Sequence, residues 1–204
     1  MNAKFYSLPQ ERRHTIINAG YRIFSQNSYK KSPMSEIADA AGISKSLLFH
    51  YFHNKKELYL FLLENCARVT DEYVRRYGCY DQADVFEMMR RGLQAKVQLM
   101  KRYPDMSLFV LKAYYEKDPA VCQEIQALIA RYGSYQANAP KLKLDPEQFV
   151  PGLDLRMMYQ DMYWAGQGYL WDRLQSGSLD LDRIEQEFAQ MIDFWKSVYL
   201  RKGE

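Results

Sequence analysis

The sequence is poor in the residues that interrupt helices. Of 204 residues, 10 are glycine and 7 are proline. That excludes a collagen-like or low-complexity chain. Cysteine is scarcer: Cys66, Cys79 and Cys122 are odd in number, widely spaced and outside any CxxC pattern. A disulfide framework is excluded, and a reduced, cytoplasmic protein is expected. No apolar run approaches the ~18 residues of a membrane span, so no membrane partner is expected. Residues 1–10 show no apolar h-region and no small-residue cleavage site, so no secretory signal is expected. Charge of one sign is missing too: 28 Lys+Arg against 25 Asp+Glu leave +3. This excludes a histone-like chain and an acidic disordered tail. Alternating strand patterns between turn signals are absent, as are internal repeats.

Large apolar side chains are plentiful: 17 Tyr, 10 Phe, 3 Trp and 10 Met. Such a payload requires a folded core, with room for a cavity in it. Charge is unevenly spread. Residues 1–56 carry nine Lys+Arg and three acids, a net +6, so the other 148 residues sum to −3. A basic head on a mildly acidic body is expected where one end meets a polyanion; a merely solvated basic surface is the alternative.

The spacing predicts an all-α fold of about nine helices. The first covers residues 9–27, with Ile16, Ile17, Ile23 and Phe24 at helical spacing and Ala19 and Gly20 as small contact positions. Ser32 reads as an N-cap with Pro33 at the first helical position, opening a short helix to Ala41 that Gly42 ends. Ser44 caps a second short helix, 45–52. Asn54 and Glu57 form a capping-box-like pair for a long helix, 55–77. Two short helices around a tight glycine turn, flanked by supporting helices, make a helix-turn-helix. Further helices are expected at 84–103, 105–116, 118–136 and 154–175. A last one, opened by Asp182 and Glu185, runs to about Leu200. Residues 137–151, with Pro140, Pro146 and Pro151, read as loop with at most one helical turn, and Gly177 ends the penultimate helix. The expected division is a head, 1–56, and a larger helical body, 57–204.

The stretch from Met34 to Leu58 resembles the DNA-binding head of TetR-family transcriptional regulators. Ile37, Ala38, Ala41, Gly42, Ser44, Leu48, Phe52, Lys55 and Leu58 match the family pattern; Ile43 and Phe49 match conservatively. Ile16, Ile17, Ala19, Gly20, Ile23 and Phe24 resemble its first helix. The resemblance covers about residues 10–65. Ser46 and Leu47 stand where Gly and Thr are usual, and Ser28 where Gly is usual. The last departure predicts a left-handed turn at Asn27 or Ser28.

The resemblance implies duplex-DNA binding through Ser35, Ser44, Lys45, Ser46, Leu47, His50, Tyr51 and Lys55. Ser35, Ser44 and Lys55 stand at helix N-termini, which favour phosphate; for Lys55 a solvated lysine is the plainer alternative. Lys45 can donate to guanine or to phosphate, Ser46 can pair with several bases, and Leu47 can pack on a thymine methyl. Tyr51 resembles a phosphate-binding tyrosine. His50 suits either role, or is a plain surface residue like His53. Leu48, Phe49 and Phe52 are expected to face the core. No metal or cofactor is expected, since H-x-x-H lacks two further ligands.

For the body, the resemblance implies a homodimer through the last two helices, with Leu170, Leu174, Phe188, Met191, Trp195 and Val198 at the seam. Closing the monomer core is the alternative use of these faces. It also implies a small-molecule effector, hydrophobic or aromatic. Met88, Met100, Phe109, Tyr114, Tyr132, Met158, Tyr163 and Trp164 are its candidate contacts, against plain core. The function implied is a repressor released from a palindromic operator. An all-helical enzyme is the competing class, but no nucleophile–base pair or phosphate loop appears; Asp161 and Asp172 are its only carboxylates worth checking for burial. A non-DNA adaptor with a vestigial head is the third reading.

Overall fold

Helix forms where apolar side chains recur every three to four residues. In the computed structural model, which describes residues 3–81, 84–137, 144–175 and 180–202 (side chains outside 132–137), every long apolar-periodic segment is helical. Among the described residues there are ten α-helices and no strand. They are α1 (Ala3–Tyr6), α2 (Gln10–Gln26), α3 (Met34–Ala40), α4 (Lys45–Tyr51), α5 (Lys55–Arg76), α6 (Val85–Arg102), α7 (Met106–Tyr114), α8 (Cys122–Ala137), α9 (Leu155–Gln175) and α10 (Leu181–Tyr199). The tenth, unexpected helix is α1. Pro146–Gln148 forms the one turn of 3-10 helix that the proline-rich loop allows.

Several caps are as the sequence dictates. Gly42 adopts φ +64° after α3, a conformation that side chains disfavour. Ser44 Oγ accepts from the Leu47 amide at 3.1 Å, and Asn54 Oδ1 from the Glu57 amide at 2.8 Å. Asp154 accepts from Arg156 and Met157, both at 3.0 Å.

Four local expectations need correction. Ser32 does not cap α3: it is buried, its hydroxyl donates to Ser28 O at 2.9 Å, and Pro33 takes the cap position without a side-chain bond. No left-handed turn occurs at Asn27, which is extended at φ −125°, and no described non-glycine residue has positive φ. Asp118 holds a turn through the Ala120 amide (2.9 Å), so α8 starts at Cys122. The cap of α10 is Asp180, two residues before the expected Asp182; it accepts from the Arg183 amide at 3.1 Å. Gly177 and Pro140 lie outside the described residues.

The chain forms two compact units, Met1–Thr70 with Leu99–Ala137, and Asp71–Gln98 with Asn138–Glu204. The first unit extends beyond residue 56 because the head is too small to bury its own apolar faces. Phe109 of α7 fills that need. It is fully buried, with ring centroids 5.3 Å from Tyr21, 5.0 Å from Tyr59 and 6.1 Å from Phe24. Helices α2 and α5 approach so closely at Gly20 that a Cβ there would fall 2.6 Å from Leu62 Cδ1.

In the second unit, α10 buries Ile184, Phe188, Ile192 and Trp195, and α9 buries Met158, Met162, Gly166 and Leu170. Phe188 lies where a Cβ on Gly166 would meet its ring at 3.2 Å. Glu187 ties the pair together: Tyr169 Oη and Arg173 donate to it at 2.6 Å and Arg183 at 2.8 Å. Those hydrogen bonds, from Tyr169 and Arg183 above all, hold its carboxyl at about 2.

Candidate nucleic-acid interface

Helix α4 has two faces. Leu48 and the following Phe52 are fully buried, and Tyr51 nearly so. On the other side Ser44, Lys45, Ser46, Leu47, Phe49 and His50 are exposed. A seven-residue helix is too short to hold itself together, so its anchor matters. The anchor is Phe5 of α1, buried with its ring 4.9 Å from Phe52, 5.3 Å from Phe61 and 5.9 Å from Tyr51.

Of the eight residues expected at DNA, Ser44, Lys45, Ser46, Leu47 and His50 share this exposed run, and Ser35 is half-buried in the first turn of α3. Two are placed differently. The ring of Tyr51 belongs to the Phe5 cluster, because position 51 recurs three residues after buried Leu48. Lys55 turns back on its own unit. Its ammonium donates to Tyr29 O at 2.8 Å and Lys30 O at 3.3 Å and lies 4.5 Å from the Tyr29 ring centroid. Desolvation there lowers its pKa. Phe49, expected in the core, is 37% exposed, with Lys45 Nζ 5.9 Å from its ring. The one-residue step from Leu48 was the signal: it moves a side chain about 100° around the helix.

The turn between α2 and α3 is gripped twice. Lys55 takes the Tyr29 carbonyl, and the Tyr29 amide donates to Glu116 Oε2 at 2.8 Å. Behind it, His14 Nε2 lies 2.8 Å from the carbonyl of Arg102, and Asn18 Nδ2 donates to the same oxygen at 3.2 Å. A buried network follows one turn on. Tyr21 Oη donates to Leu62 O (3.1 Å) and accepts from Asn65 (2.9 Å) and Cys66 (3.3 Å). Burial pushes the Cys66 thiol up to about 12, so it is inert. None of these ties was expected from spacing, since they join residues 26 to 88 positions apart.

The residues expected at an effector are divided between the two units. In the first unit Phe109 and Met100 are buried, Phe109 among core rings, while Tyr114 is 61% exposed. In the second, Met88 and Met158 are buried, Tyr163 is half-buried and Trp164 is exposed. The side chain of Tyr132 lies outside those described. Of the expected seam, Leu170, Phe188 and Trp195 are spent inside the second unit; Leu174 and Met191 are half-buried and Val198 is exposed. The large apolar side chains that α9 and α10 expose are Met157, Trp164, Phe194 and Val198. Asp161 and Asp172 are both exposed, and Asp161 accepts from Tyr199 Oη at 3.2 Å. Among the described residues no group of three His, Cys, Asp or Glu is placed to hold a metal. No described helix is long and apolar enough to cross a membrane.

Residues 16–61 match the family model of bacterial regulatory proteins, tetR family. Over 128 residues the chain is 28% identical to the HTH-type transcriptional activator FasR of Mycolicibacterium smegmatis, covering 61% of this chain and 57% of that one. Over 84 residues it is 31% identical to the HTH-type transcriptional regulator TtgR of Pseudomonas putida, covering 41% and 40%. The chain spans about half the length of the curated relatives it matches. The crystal structure of a TetR family transcriptional regulator from Chloroflexus aurantiacus shares the fold, with TM-score 0.62 and 22% identity over 98% of this chain and 99% of that one. The matched segment contains α3, α4 and the glycine turn between them, and the likeness of fold extends over the helices beyond. Residues 16–61 thus carry the segment that the tetR family model of bacterial regulatory proteins describes, on a fold shared with a TetR family regulator.

Proposed function

We propose that the chain is a DNA-binding transcription regulator that sits on a palindromic operator as a homodimer and is released from it, as a repressor, by a small hydrophobic or aromatic effector. The observation that carries the reading is α4: six exposed residues from Ser44 to His50 opposite fully buried Leu48 and Phe52, in a head of net charge +6. Placed in the major groove, α4 puts Lys45, Ser46, Leu47 and His50 at base edges, with Ser35 and Ser44 toward phosphate. Two such helices about 34–36 Å apart read two half-sites. Exposed Met157, Trp164, Phe194 and Val198 on the last two helices support a two-fold apolar seam. Release by an effector requires unequal affinity of that ligand for the free and operator-bound states.

A mobility-shift assay on the DNA upstream of the chain's own gene, at stated salt, tests the reading. A sequence-selective shift is expected, and a shift no stronger than on random duplex overturns it. FasR is named an activator, so a reporter from the same DNA is the test of sign. Reporter output should rise when the gene is deleted; a fall overturns repression.

A further inference from the structure

Resting on the reading of α4 as the DNA-reading helix, we infer that Phe49 and Leu47 are specificity-determining residues whose partners are thymine methyl groups on both sides of the helix. At about 100° per residue, Ser46 and His50 lie at the centre of the exposed face of α4. Leu47 lies on one flank and Phe49 on the other. Each is 37% exposed, in a helix whose remaining apolar side chains are buried. The face is therefore a polar centre bracketed by two bulky apolar groups. Lys45 stands one turn before Phe49 with its ammonium 5.9 Å from the ring, which keeps a cation beside the apolar patch.

The occupant follows from the surroundings. The head carries +6, so its partner is a polyanion. In the major groove of duplex DNA the apolar group on offer is the thymine C5-methyl, which projects beside the polar base edges. A central Ser46–His50 pair over base edges leaves Leu47 and Phe49 facing the adjacent positions. Phenylalanine has no hydroxyl to give to phosphate, so contact with methyl is the use its side chain has there. The operator half-site is accordingly one with thymine on either side of its central read position, and Phe49 sets one of those preferences.

The test begins with random-sequence duplex selected on the full-length chain. The recovered half-sites carry thymines flanking a centre. The same selection on F49A loses the preference at one flanking position, and on L47A at the other. Replacing those thymines by uracil in the selected duplex removes only the methyl groups. Wild type should lose about four-fold per methyl contacted. F49A, folded by its unchanged circular dichroism, should show no further loss at its own position. Uracil substitution that leaves wild-type affinity unchanged, or that weakens wild type and F49A equally, overturns the inference while sequence-selective binding still stands. Failure of wild type to enrich any sequence overturns the underlying reading instead.

Discussion

His14 Nε2 lies 2.8 Å from the carbonyl oxygen of Arg102, 88 residues away in sequence. A carbonyl only accepts, so the imidazole must donate from Nε2. Asn18 Nδ2 donates to the same oxygen. Two side chains one turn apart on α2 thus close off the last turn of α6, where carbonyls lack intrahelical partners. Removing one of two donors should cost about 1 kcal/mol; urea melts of H14A against wild type at pH 7.5 measure it. Burial, ahead of the hydrogen bond to Arg102, leaves the His14 pKa below its ordinary 6.5. The unfolded chain then binds the proton more readily. Stability is full above about 6.5 and falls as pH drops through the folded value, and H14Q should lack that loss.

Gly20 is the contact point of α2 with α5. In G20A the new methyl would meet Leu62 Cδ1 at 2.6 Å, and Leu62 is fully buried. Overpacking costs about 1–3 kcal/mol and outweighs the ~1 kcal/mol that alanine gains in a helix. A lowered melting temperature is expected, with partial recovery when Leu62→Ala is added.

Lys55 offers a clean separation of brace from phosphate ligand. Its ammonium is committed to the Tyr29 and Lys30 carbonyls. K55M should lower stability by about 1–2 kcal/mol by leaving those carbonyls short of a donor. The slope of log affinity against log salt should stay unchanged. A slope reduced by about 0.9 would show a phosphate contact instead.

Lys96 is a half-buried lysine with no hydrogen bond or ion pair among the described residues. Burial brings its amine down to about 8. An unfolded lysine titrates near 10.4, so between about 8 and 10.4 the unfolded chain holds more proton. Below about 8 the full cost of charging the buried amine is borne by the native state. K96M should therefore be more stable than wild type at pH 7, by less than about 3 kcal/mol. The advantage should shrink as pH rises toward 10. Thermal melts at pH 7 and pH 9.5 check both signs.

The sequence made legible whatever is local. The Gly42 turn, the Ser44 and Asn54 caps and the spacing of Leu48 and Phe52 are read from neighbours within four residues, and they hold. The motif then placed Ser44, Lys45, Ser46, Leu47 and His50 on one surface. What escaped was decided by residues far away in the chain. Lys55 could not be known to face Tyr29 until the turn between α2 and α3 was folded against α5. Spacing from Leu48 gives the direction of Tyr51, but not that its ring meets Phe5, 46 residues earlier. Trp195 reads equally well as seam or core from an apolar stripe, and only packing beside Phe188, at 5.9 Å between rings, decides.

The Phe5 cluster has a thermodynamic consequence for recognition. Four aromatic rings hold the seven residues of α4 in helical form before any DNA is present. A free peptide of that length would be a coil, and ordering it on contact would subtract from every base contact it made. Here the ordering belongs to folding, so on the proposed reading discrimination between sequences is left to side chains on a rigid rod. Phe5 of α1 is in that sense the stand on which α4 is mounted.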